Sequence, residues 1–588
     1  MPSSLRPAQP WKTLFWRCLP WLPALVTLAL IHALRVGVPH HDSWWFVQSY
    51  MDWQQGHYGW KELFAAHGPH PAVPGKLLYW FALHVTEGDV SWLPVMSWLF
   101  SLGAALGCRS LLKVQFPDSP QIQAWLLLLA NTLIFTPAQG GTWLWDFLAA
   151  NFLPGMCLMG ALSCLAREEM TTRRWLALCG FELLATLSFG SGFTISWLVL
   201  PLWGWRLRGH RRFAAGLAGA VALALLLTWL SMVYLPSLAP LTMGGPAGRV
   251  DSVLSQPLMA VTYLLVLMGG PLGHGTAMDP TGQCLIVTGV TLLALLVCLH
   301  VLWRRRGDVQ LLADAFPWLA CCGFTFLNAL MIVLARMGST YATALFPRYQ
   351  TFTLFFFIGV LMLTVLLVQR GHLRLAALAG PALTAFLALQ VVNWAYGVQA
   401  MRHYHLFLKH DRAALTFAKI LPLDPGRVLQ HAGRGSVAKV AVPFYDQGRL
   451  RKVTMLEDNR LSGLRTATDM STGTSHLDYV GRNAKGEVFV QGVCAGHKTH
   501  GALPDLILVT TAVPGQEERI IGFQAPFAPP DYFEDSVRQR DQEDCYRGFR
   551  VVLDQVPVPA DPAGKLRAYA YFEAQRTVRR IPGEFAVP

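Results

Sequence analysis

The residues best suited to chemistry crowd into one stretch, 37–73. It opens with His40-His41-Asp42-Ser43-Trp44-Trp45, continues through Asp52, His57, Lys61 and Glu62, and ends in His67-Gly68-Pro69-His70-Pro71. A carboxylate held beside an aromatic wall can act as general base on a hydroxyl, and Asp42, a few residues beyond the first apolar run, is the best placed to do so. The other reading is a Trp-rich interfacial belt whose charges are simply solvated. His40, His41, Asp42, His67 and His70 also have the chemistry to ligate a divalent metal, but their spacing matches no known zinc pattern and there is no H-E-x-x-H.

Further candidates lie downstream. Arg348, in Phe346-Pro347-Arg348-Tyr349-Gln350, and Arg336, at the end of an apolar run, suit a phosphate, because the planar guanidinium gives paired, charge-assisted hydrogen bonds. The competing role is an arginine that snorkels to lipid headgroups. Asp146 and Glu182 fall inside apolar runs, where ionisable groups are functional candidates by default, and Asp146 is expected near the same cavity as Asp42. His274 and Asp279 read as loop residues. The chain has no P-loop, no G-x-G-x-x-G and no G-x-S-x-G elbow, so nothing points to an ATP engine or an α/β-hydrolase. Phe189-Gly190-Ser191-Gly192-Phe193 reads as a tight turn.

Composition says what must position these groups. Of 588 residues, 53% are hydrophobic and 14% charged, against about 25% charged in soluble domains. Eleven runs are long enough to cross a bilayer: 18–36, 91–112, 121–137, 147–166, 174–190, 193–207, 213–235, 283–303, 315–336, 349–369 and 374–396. Runs 74–87 and 257–270 are shorter. The net charge of +13 comes from Arg clusters at the ends of these runs (167–174, 206–212, 304–306, 370–374). Such placement marks cytoplasmic loops rather than a nucleic-acid surface. Eleven crossings from a cytoplasmic N-terminus put every cluster inside, provided the two short runs are re-entrant or interfacial. The expected location is the bacterial inner membrane, with an uncleaved first helix, an extracytoplasmic loop 37–73 and an extracytoplasmic C-terminus.

After Trp394 the pattern changes. Residues 399–426 read as a charged helical linker, and 427–588 as an all-β sandwich with strands at 436–443, 487–493, 505–511, 519–523, 548–553 and 566–572. Nine of the eleven cysteines fall in apolar stretches between Cys18 and Cys322. The two in the tail, Cys494 and Cys545, are expected to form a disulfide in an oxidising compartment.

In order and spacing, three features resemble the bacterial GT-C-type integral membrane glycosyltransferases: His41-Asp42-Ser43-Trp44-Trp45 after the first span, the stretch His67-Gly68-Pro69-His70-Pro71 running into an apolar helix, and the late pair Arg336-Met337-Gly338 and Pro347-Arg348-Tyr349. The resemblance covers roughly residues 1–400. It implies a helical membrane bundle with a large first loop, a polyprenyl-phosphate-linked sugar as donor, an envelope glycan or lipid as acceptor, and inverting transfer. Asp42 is then the expected base, and Arg348 with Arg336 the donor-phosphate ligands. Relatives often read His-Asn-Glu-His-Arg where this chain has Pro69 and Pro71 in place of the acid and the Arg, so a second acid or a metal role has no counterpart there. The rival classes are a lipid or glycan transporter using the same cavity without chemistry, and a noncatalytic envelope assembly subunit.

Overall fold

A computed structural model describes residues 15–66, 70–166, 171–207, 213–238, 253–337, 341–373, 376–421, 437–467, 469–470, 475–482, 488–494, 504–524, 548–553 and 564–586. The protein is mostly helical, with a C-terminal β-sheet region. Among the described residues, eight helices are long and apolar enough to cross a membrane: Phe15–Leu34, Leu93–Gln115, Pro120–Gln139, Asp146–Leu165, Ala214–Ser237, Pro280–Arg304, Val309–Arg336 and Pro347–Gln369. Each has about 20 residues or more, which at 1.5 Å per residue matches the roughly 30 Å of a hydrocarbon core. The chain is built as a multi-pass membrane protein.

Three further expected crossings are helices outside that set of eight. Run 174–190 is the 17-residue helix Thr172–Ser188. Run 193–207 is Thr194–Leu207, interrupted by Pro201. Run 374–396 begins a 40-residue helix, Ala376–Leu415, whose polar C-terminal part occupies much of the expected 399–426 linker. The two short runs form the 13-residue helices Val73–Val85 and Pro257–Gly269.

Contacts divide the chain into two units, each entered more than once. The first comprises 1–35, 56–78 and 93–402; the second 36–55, 79–92 and 403–588. Within the first, 78% of the apolar window of Pro347–Gln369 is buried against 17% for Pro280–Arg304, so the former is central and the latter peripheral. Gly397 lets the Ala376–Leu415 helix touch backbone. A Cβ there would stand 2.1 Å from Ala138 N, in the loop after the third long helix.

The second unit holds two sheets. Strands β1 (Arg465–Thr466), β4 (Leu506–Ala512), β5 (Arg519–Gln524), β7 (Lys565–Phe572) and β8 (Thr577–Ala586) pair in the order β1-β8-β7-β4-β5. Strands β2 (Ser475–Arg482), β3 (Val488–Cys494) and β6 (Gly548–Leu553) pair as β2-β3-β6. Val490 and Val551 of the smaller sheet share one apolar cluster with Val509, Ala568 and Ile581 of the larger. Leu508, Tyr571 and Val578 of the larger sheet form a second cluster with Ala413, Phe417 and Leu421. Strand β4 is thus covered on both faces and reads as a continuous apolar run.

The expected strand 436–443 is a helix, Val437–Asp446. Val437, Ala441 and Phe444 are its buried residues, at i, i+4 and i+7, so a helical period outweighs the β-branched composition. Cys494 is a buried free thiol whose pKa burial pushes up to about 11. Its expected partner, Cys545, lies outside the described residues.

Candidate functional site

In the second unit, Asp42 starts the helix Ser43–Gln54. Backbone bonds from Ser43, Trp44 and Trp45 to the carbonyls of His40, His41 and Asp42 wind the first turn. Trp44, Val47 and Met51 bury one face of that helix, with Phe46 and Tyr50 beside them. Trp80 donates from its indole to Ser49 Oγ at 3.0 Å and stacks on Trp53, which fixes the helix laterally.

Asp42 does not use its carboxylate to cap this helix. Its Oδ1 lies 2.9 Å from His41 Nδ1, with the Asp42 side chain one-third exposed. His41 stands at φ +53°, in the left-handed region that costs any residue with a Cβ, though His tolerates it better than most. A strained residue held at a polar site is a recurrent functional signature. Alongside, His40 Nδ1 pairs with Asp411 Oδ2, and its ring stands edge-on to Tyr404 at 5.5 Å. Two adjacent histidine–carboxylate pairs therefore share one turn. Asp411 comes from the polar end of the Ala376–Leu415 helix. Asp52 accepts from Gln48 Nε2 at 2.7 Å on the next turns of the Ser43–Gln54 helix.

The first unit holds the arginines. Arg336 ends the helix Val309–Arg336 and is exposed; Arg348 lies in the first turn of Pro347–Gln369 and is half-buried. The Arg348 guanidinium lies 4.7 Å from the Phe346 ring and 5.3 Å from the Tyr349 ring. Arg336, Arg348 and Tyr349 are all within electrostatic reach of the Tyr263 hydroxyl, which shares a 2.8 Å hydrogen bond with Thr343. Among the described residues no carboxylate pairs with either guanidinium. Both guanidinium groups thus raise the positive potential at one phenol.

The remaining candidates divide. His70 accepts from Gly190 N at 3.3 Å and stacks on Phe189 at 3.9 Å, so it anchors the 189–193 turn. Asp146 is 5% exposed and begins a 3-10 helix, Asp146–Phe152. His67 lies outside the described residues. Ser191, in the turn, donates to Asn328 Oδ1, as a structural hydroxyl does. Among the described residues no group of three or more His, Cys, Asp or Glu is arranged to hold a metal ion. Lys76 was not singled out by sequence, yet it is fully buried and donates to the carbonyls of Glu62, Leu63 and Ala65 at 3.0, 2.9 and 2.6 Å. It closes the C-terminus of the short helix Trp60–Phe64 and so ties the first loop to the Val73–Val85 helix.

Asp42 with His41 thus belongs to one unit, and Arg336 with Arg348, His70 and Asp146 to the other. Tyr263 and Asp411 were missed because an apolar helix and a mixed-charge helix give a phenol and a carboxylate no distinguishing pattern. Comparison of the chain with protein-family models, with curated proteins and with solved structures found no match.

Proposed function

We propose that the protein is an integral membrane glycosyltransferase that moves a sugar from a polyprenyl-phosphate donor to a noncytoplasmic cell-envelope acceptor. The observation that carries this reading is the unneutralised pair Arg336 and Arg348 around Tyr263. In the reaction the acceptor oxygen bonds to the anomeric carbon as the bond from that carbon to the phosphate oxygen breaks, with inversion. The lipid phosphate leaves with the bonding electrons, and the guanidinium groups stabilise the charge it gains. Asp42 takes the proton of the acceptor hydroxyl, and His41, 2.9 Å away, steadies the carboxylate. The paired sheets, with their shared apolar cluster, support the reading of the C-terminal region as a β-sandwich. The two short apolar helices, Val73–Val85 and Pro257–Gly269, favour a second reading, a transporter with paired broken helices.

Two tests follow from the anion site and from the distribution of arginine. Arg348→Ala should weaken binding of a polyprenyl phosphate by about 10²-fold, and Arg348→Lys by about tenfold, since a point charge survives but the fork does not. Titration of the purified protein in detergent checks this, and unchanged affinity in both variants leaves Arg348 as an interfacial anchor. Reporter fusions after Arg212 and at Pro588 should read cytoplasmic and extracytoplasmic respectively. A cytoplasmic signal at Pro588 overturns the orientation.

A further inference from the structure

A set of buried polar groups in the first unit is left over once the anion site is described. Four segments meet there. Asn393, on the Ala376–Leu415 helix, donates from Nδ2 to Pro271 O at 2.7 Å and to Thr136 Oγ1 at 3.4 Å. Three residues further on, Tyr396 stacks face to face with His274 at 4.9 Å. Gln350, in the second turn of Pro347–Gln369, packs on Gly270, where an added Cβ would lie 3.6 Å from Gln350 Cγ. The loop carrying Gln139 reaches the same helix start, with Gly140 against Pro347.

The side chains of Gln350, Gln390 and His274 are 2%, 3% and 4% exposed, and among the described residues neither polar atom of any of the three has a hydrogen-bond partner. Asn393 Oδ1 and Gln139 Oε1 are buried and unpartnered as well. Gln390 lies one helical turn before Asn393, on the same face. Buried amides without partners are rare because each forfeits its hydrogen bonds to water, so this many on four segments in mutual contact call for partners that the chain itself does not supply.

The groups are amides and an imidazole. Amides both donate and accept, as hydroxyls do, and none of these groups carries a charge. Burial drives the His274 pKa down to about 4, so its ring is neutral at physiological pH. Arg348, the nearer of the two arginines in sequence, lies two residues before Gln350 in the same helix.

We propose that Gln350, Gln390, Asn393, His274 and Gln139 form a receptor for a neutral, hydroxyl-rich sugar, the hexosyl group esterified to the phosphate held by Arg348 and Arg336. This rests on the reading of the arginines as a lipid-phosphate site. A charged uronosyl group finds no counter-ion among these five side chains and is excluded.

Affinities of the purified full-length protein for farnesyl phosphate, for its glucosyl, galactosyl, mannosyl and glucuronosyl esters, and for the free methyl hexosides test the proposal. At least one neutral hexosyl ester should bind ten times or more tighter than farnesyl phosphate, and the glucuronosyl ester no tighter. Gln350→Met and Gln390→Met conserve volume, and each should remove most of that gain while leaving farnesyl phosphate affinity within twofold. Either variant suffices if the other does not fold. Arg348→Ala should weaken every phosphate ligand alike. A gain that survives both Met substitutions, or a preference for the glucuronosyl ester, overturns the inference while the phosphate site stands. A free hexoside that binds through Gln350, with no gain for the esters, assigns the groups to the acceptor and overturns it too. Failure of the wild type to bind any farnesyl phosphate overturns the phosphate reading and this inference with it.

Discussion

Asp42→Asn should abolish sugar transfer, with a loss of about 10²–10⁴ in rate, while Asp52→Asn remains close to wild type. The asparagine keeps the size and most of the hydrogen-bonding capacity of the carboxylate but cannot take the acceptor's proton. The two aspartates differ in what surrounds them. Asp42 sits at the head of its helix, beside a histidine in a left-handed conformation and a second histidine–carboxylate pair. Asp52 is near the end of the same helix and is engaged by Gln48 one turn earlier. Far-ultraviolet circular dichroism of the variant should match wild type, which separates loss of the base from loss of the fold. His41→Gln should cost less, since it removes the neighbour of the base rather than the base. If Asp42→Asn transfers sugar at the wild-type rate, the catalytic assignment fails.

Acid should destabilise the second unit through His410, at the polar end of the Ala376–Leu415 helix. Burial lowers the pKa of His410 to about 4, and Asp505, Lys409 and His403 modulate it. Flanking ion pairs, Lys409 with Asp505 at 3.0 Å and Arg412 with Glu573 at 2.5 Å, lock this end of the helix to the five-stranded sheet. The unfolded chain binds a proton at His410 near pH 6.5, whereas the folded chain resists it until about pH 4. The contribution is therefore fully present above pH 6.5 and is lost as pH falls towards 4. The span of about 2.5 pH units corresponds to roughly 3 kcal/mol. Denaturant midpoints followed by tryptophan fluorescence from pH 7.5 to 4 should show this fall, and His410→Gln should flatten it. An equally steep fall in the variant assigns the acid sensitivity to other groups.

The membrane-spanning helices were legible because about 20 apolar residues in a row have few other fates. Most strands were legible too, since β3 to β7 are apolar runs bounded by turn residues. Strand β2, Ser475–Arg482, and strand β8, Thr577–Ala586, were not. Their exposed positions carry His476, Asp478, Arg482 and Arg579, and their short buried faces lack a clear alternation. The helix at 437–446 was misread because valine and alanine suit both states when a run is brief. Asp42 could be singled out, since it lies in a polar cluster directly after an apolar run. Its setting could not, because His40 meets Asp411 across 371 residues of sequence. Gln350, Gln390 and Asn393 stood as polar residues within or at the edge of apolar runs. That is a usable signal, but one that does not say whether such a group is satisfied by a neighbouring helix or waits for a ligand.

Whether a sugar leaves its lipid separates transfer from transport. The measurement that tests this most directly is the fate of a radiolabelled hexose on polyprenyl phosphate in proteoliposomes carrying the full-length protein and an envelope-glycan extract. The label should pass from the lipid fraction to the glycan, and should stay with the lipid when Asp42 is replaced by Asn. Label that remains lipid-linked but becomes accessible on the opposite leaflet, with wild type and Asp42→Asn alike, would contradict transfer and establish transport instead.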